Sequence, residues 1–131
     1  MRLIIVAALV LMLVCPVECA ELSLMIDGEN IPVRWENNKS VNALKNIAPL
    51  TVKLSAYGGF EQVGSLGKTL PRSDINMTAW PGDIVLYSGN QIVIFHGSNT
   101  WAYTKLGRIT GKSLSELRAL LDKPGVTLTI K

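Results

Sequence analysis

The sequence predicts a mainly β fold, an antiparallel barrel closed on itself with two short helices. Three observations predict it. Apolar and polar residues alternate through several short segments, the period of a strand with one wet face. Gly, Asn and Asp separate those segments where chain reversals need them. Only two stretches place apolar residues at helical spacing.

Residues 1–20 stand apart from that pattern. Arg2 precedes an unbroken apolar run from Leu3 to Val14, and small residues follow at Cys19 and Ala20. The run has the length of a signal-peptide hydrophobic region and is short for a membrane span. We therefore expect a signal peptide over 1–20 and an extracytoplasmic domain, periplasmic or secreted, over 21–131. Lipoprotein anchoring is the weaker reading, because Cys15 follows Val14 and Cys19 follows Glu18 where a small residue is expected. Removing 1–20 from the 131 residues leaves 111, enough for one domain. Both cysteines leave with the signal, so the core alone must hold the domain. The net charge of +3 is mild and its lysines and arginines are scattered, which points away from nucleic acid as a partner. No later segment is long enough to span a membrane.

The elements follow in order. "LSLMI" (22–26) puts Leu22, Leu24 and Ile26 on one face, and "IPVRW" (31–35) does so with Ile31, Val33 and Trp35. "DGEN" between them suits a hairpin turn. "NNKSVNALKNIA" (37–48) reads as a helix with Asn37 or Asn38 as its cap. "TVKLSA" (51–56) turns Val52, Leu54 and Ala56 inward. The pair 84–87 and 92–95 is apolar on both faces and should be central, with Gly89 and Asn90 able to take positive φ at the reversal. A strand around Trp101–Thr104 would return beside it. Ser113 and Glu116 form a capping box for a helix over 113–125 that Pro124-Gly125 ends. "VTLTIK" (126–131) is a last alternating strand. The total is seven or eight strands and two helices. A closed barrel would leave such a domain few open edges.

"YGGFEQVGSLGKT" (57–69) is the densest glycine run and ends like a phosphate loop. A phosphate loop needs a glycine where Gln62 stands, and a helix where Leu70-Pro71 follow. The structural alternative is a bend at Gly58-Gly59 and a surface loop shaped by Gly64 and Gly67. His96, the only histidine, shares a face with Ile92 and Ile94, and no nucleophile-elbow pattern accompanies it. No residue is assigned a catalytic role. One histidine among scattered carboxylates has no metal-ligand spacing, so neither metal nor cofactor is expected. Tyr57, Phe60, Tyr87, Phe95, Trp101 and Tyr103 gather near turns or strand ends. Beside a glycine-rich loop such aromatics can line a pocket. Of the polar pair Glu61-Gln62, at most one residue can face the interior.

Three blocks, "YGGFEQVGSLG", "PGDIVLYSGNQIVIFHG" and "WAYTKLGRI", resemble the bacterial cyclophilin-like domain family of small proteins. The leading "LSLMIDGENIPVRWENNKSVNALK" fits that family's opening hairpin and first helix, so the resemblance spans about residues 22–130. It implies a closed antiparallel cyclophilin-like β-barrel. True cyclophilins isomerise X-Pro bonds with an arginine that follows Phe-His on a strand. Here Phe95-His96 is followed by Gly97, and no arginine is carried over. The expectation is an exported domain that binds a peptide or small molecule between the 57–67 loop and the 91–96 strand. Phe60, Glu61, Gln62, Gln91 and His96 are its candidate ligand contacts. The rival expectation is a weak peptidyl-prolyl isomerase acting on exported chains.

Overall fold

Asp27 and Gly28, both at positive φ, reverse the chain between its first two strands, β1 (Leu24–Ile26) and β2 (Glu29–Ile31), as the Asp-Gly signal requires. The computed structural model describes residues 21–131, and the expected signal peptide over 1–20 lies outside them. Residues 31–35 were expected as one strand, but Pro32 divides them. Proline offers no N–H to a ladder. After it β3 (Val33–Trp35) leaves β1 and pairs with β9 (Asn99–Ile109). Helix α1 (Lys39–Ile47) is capped by Asn38, whose Oδ1 accepts from Val41 N at 2.9 Å and whose Nδ2 donates to Lys105 O at 2.9 Å. Such a cap is worth about 1 kcal/mol.

The remaining elements are β4 (Leu50–Tyr57), β5 (Glu61–Ser65), β6 (Ile75–Ala79), β7 (Asp83–Tyr87), β8 (Gln91–Phe95), α2 (Leu114–Leu121) and β10 (Gly125–Ile130). All pairings are antiparallel, in the order β2-β1-β10-β4-β5-β8-β7-β9-β3. The two ends of that path, β2 and β3, are joined through Pro32. The barrel is therefore nearly closed, with covalent chain at the seam in place of a ladder. Helix α2 carries the expected capping box, with Ser113 and Glu116 each bonding the other's backbone N–H.

Two apolar clusters share the sheet. Leu24, Ile26, Val52, Leu54, Ile84, Leu86, Ile92, Ile94, Leu106 and Leu128 fill the barrel, and Val41, Leu44, Leu117 and Leu121 of the helices join them. Burying each such side chain contributes about 1.5–3 kcal/mol. The second cluster lies on the outer face of β7 and β8. Val85, Val93 and Phe95 pack there with Ala79 of β6 and Tyr103 of β9. This is why the central pair is apolar on both faces. β9 makes the second layer possible, because Thr104–Arg108 pair with β7 while Asn99–Tyr103 pair with β6.

Three further expectations change. The structure has ten strands among its described residues, because Pro32 splits one expected strand into β2 and β3, and β5 and β6 join those the alternation indicated. Ala56 is exposed, since the β10 partner ends at the Gly125–Ser55 pair and the interior row stops with Leu54. At the β7–β8 reversal Ser88 and Gly89 take positive φ, not Asn90. Asp83 is a buried carboxylate that fixes the start of β7. Its Oδ2 accepts from Trp80 N at 2.8 Å and its Oδ1 meets Arg108 at 2.6 Å and Lys105 at 3.4 Å.

Candidate functional site

The glycine run forms a hairpin, and its purpose is to seat one ring. Gly58 and Gly59, at φ +66° and +73°, turn β4 into β5. A Cβ on Gly58 would enter the Phe60 ring, and one on Gly97 would stand 2.7 Å from the Phe60 Cβ. Phe60 O accepts from His96 N and Gly97 N, each at 3.0 Å. The ring then stacks on Phe95, with centroids 6.4 Å apart and planes within 6°. Gly64, expected in a surface loop, lies within β5 opposite Ile92, while Gly67 does sit in an exposed loop at φ +78°.

A cleft of about 750 Å³ opens on this outer face. The β4–β5 hairpin lines it with Tyr57, Phe60, Glu61 and Val63, and β7 and β8 with Tyr87, Gln91 and Val93. Asn99, Trp101 and Tyr103 of β9 form the far wall. Tyr57 and Trp101 are more than half exposed, whereas Tyr103 is buried and its hydroxyl accepts from Asn99 Nδ2 at 2.7 Å. The Tyr103 ring meets Phe95 edge-on at 5.6 Å and Tyr87 at 6.2 Å.

Family comparison fits this architecture. The family model described as the cyclophilin-like family matches residues 24–131. The chain belongs to the cyclophilin-like family. Against curated proteins the sequence finds no match.

Within this cyclophilin-like domain the five candidate residues divide between two faces. Phe60, Glu61 and Gln91 meet in the cleft. Gln62 and His96 turn the other way, into the barrel beneath α2. Gln62 is fully buried, and its Nε2 donates to Leu121 O at 2.8 Å and Lys123 O at 2.7 Å, leaving Oε1 without a partner among the described residues. It ties β5 to the end of α2. His96 is also buried. Burial chiefly, opposed by the Asp122 charge and helped by Arg118, holds its imidazole below the ordinary value.

Glu61 is the chemically distinctive group. It is 7 % exposed and, among the described residues, forms neither an ion pair nor a side-chain hydrogen bond. Burial alone pushes its carboxyl up to about 7. Tyr103 is pushed up as well, first by burial and then by Glu61 and Tyr87, against the lowering effect of Asn99. No serine, threonine, cysteine or lysine among the described residues lines the cleft beside Glu61. Among the described residues no group of three or more His, Cys, Asp or Glu could hold a metal ion. None of their helices is long and apolar enough to cross a membrane. The geometry suits recognition, with aromatic surfaces for contact area and Glu61, Gln91 and Asn99 for orientation.

Asn99, Val63 and Val93 were not among the expected contacts. Period 2 offered a signal for the first, because Asn99, Trp101 and Tyr103 alternate along one strand face.

Truncating Gln62 to alanine strips a donor from two carbonyls at the end of α2. We expect a loss of about 2 kcal/mol in denaturant unfolding.

Proposed function

We propose that this domain is an exported binding module whose outer cleft holds a peptide or small molecule. One observation carries the reading. A cleft of ligand size has aromatic walls and a single buried carboxylate, with no nucleophile or metal cluster at its side. Tyr, Trp and Phe give contact area at small entropic cost, so such walls suit recognition. The apolar run at the start of the sequence supports export.

Native mass spectrometry of the protein purified from its own source tests this. A retained small molecule or peptide is expected, and it should be lost when Phe60 and Gln91 are both changed to alanine. Retention by that double variant would remove the cleft as the site.

Isomerase activity is expected to be at background. Twisting an X-Pro amide out of plane is helped by a cationic donor near the prolyl nitrogen, and among the described residues no arginine or lysine lines the cleft. A protease-coupled assay on proline peptides checks this, and a clear rate above the uncatalysed one would favour the isomerase instead.

A further inference from the structure

The cleft places a carboxylate where nothing in the described protein answers its charge. Glu61 is more than nine-tenths buried, in the pair with Tyr57 that closes the β4–β5 turn, and lines the cleft. The groups that face it are Tyr57 from β4, Tyr87 from β7, Gln91 from β8, and Asn99, Trp101 and Tyr103 from β9. None is a lysine, an arginine or a second carboxylate. None of the lysines and arginines among the described residues lines the cleft. Asp83, the other deeply buried carboxylate, has two cations of its own.

Buried carboxylates are normally paired, because leaving water is costly for a charge. The surroundings of Glu61 are instead aromatic. Ring faces attract cations, most strongly when water is excluded, and a carboxylate behind them adds a directed counter-charge. Resting on the reading of the cleft as a ligand site, we infer that its ligand carries an organic cation, an alkylammonium or guanidinium group, which the aromatic walls enclose and Glu61 neutralises.

Such a cation binds the ionised form of Glu61 and competes with its proton. With the carboxyl at about 7 in the free protein, affinity should be full above that pH. It should weaken about tenfold for each pH step below it. The cation can belong to a free amine or to a lysine or arginine side chain of a peptide, and the probes below separate these.

The test is titration of the isotopically labelled protein, followed by amide and indole NMR shifts. The free-cation arm compares n-butylammonium with 1-butanol. The peptide arm compares Ac-Gly-Lys-Gly-amide with Ac-Gly-norleucine-Gly-amide. At pH 8.5 each cation should bind at least tenfold more tightly than its neutral partner and shift the Trp101 indole. At pH 5.5 the cations should bind on the order of 10- to 30-fold more weakly, with the neutral probes unchanged. Glu61→Gln should erase the cation preference at pH 8.5 while keeping affinity for the neutral probes. A tighter peptide arm assigns a peptide ligand, and equal arms assign a free amine. Cation preference that survives in Glu61→Gln would overturn the inference, as would the absence of shifts in the cleft. Neutral probes that bind as tightly as the cations would also overturn it, yet would leave the cleft standing as a binding site.

Discussion

Replacing Glu61 by glutamine is expected to stabilise the ligand-free protein by about 2 kcal/mol at pH 8 and to flatten its stability between pH 4.5 and 7. The unfolded chain releases the Glu61 proton near 4.5, whereas the folded chain keeps it until about 7. Between those values the folded state holds the extra proton, so wild-type stability falls as pH rises. Below the window both states are protonated and the native state incurs no penalty. Above it the native state carries an ionised, desolvated carboxylate. The move from 4.5 to about 7 is worth about 3 kcal/mol in full, and solvent at the open mouth of the cleft reduces it to about 2 kcal/mol. Glutamine keeps the shape and cannot ionise. Denaturant unfolding at pH 4.5, 6 and 8 measures the effect, and parallel pH profiles for the two proteins would refute it. A cationic ligand should restore wild-type stability above pH 7 and stabilise Glu61→Gln no more than its neutral counterpart does. Under the proposed reading, the group that weakens the ligand-free fold would be the one that recognises the ligand, a common compromise at functional sites.

The barrel was legible where one local rule determines one outcome. Alternation marked β1, β4 and β10 because each has one face in the core. The apolar runs of β7 and β8 marked strands covered on both sides, and the structure supplies the two clusters that cover them. Ser113 and Glu116 announced α2 because a capping box is local chemistry. β6 was hidden. "INMTA" has one strong apolar residue at its exposed end, and its pairing is with β9, whose partners lie far along the chain, from Asn99 to Tyr103. Pro32 did carry a local signal, since proline interrupts a ladder, but only the register of β9 shows where β3 goes next.

The site was half legible for the same reason. Parity along β8 already placed His96 with Ile92 and Ile94, opposite Gln91. The same parity separates Glu61 from Gln62, but does not say which of the two faces the barrel. That depends on the cross-strand pairs Glu61–Phe95 and Gln62–Ile94, which bring each residue to its partner's side. The outer cleft itself needs the bend of β9 and the cover of β6, neither of which is written in a short stretch of sequence.

Phe95→Ala should be the most damaging single change at the cleft, costing about 4 kcal/mol. Its ring is fully buried at the centre of the outer cluster, stacked on Phe60 and edge-on to Tyr103. Truncation loses the transfer energy of the ring and leaves a cavity that β-sheet backbones on both sides cannot close. Phe60 then lacks the platform that holds it over the hairpin. Water reaches Glu61, and its carboxyl should move back toward 4.5, removing the pH dependence expected of the wild type. Ile94→Ala is the matched control, because Ile94 is equally buried but faces the barrel opposite Ile84 and Gln62. It should cost a comparable 2–5 kcal/mol and leave the Glu61 titration in place. Denaturant unfolding gives the two stabilities, and carbon-detected NMR of the Glu61 carboxyl gives the two titrations. A Phe95→Ala protein that still titrates Glu61 near 7 would show that the hairpin, and not the aromatic stack, keeps water from the carboxylate.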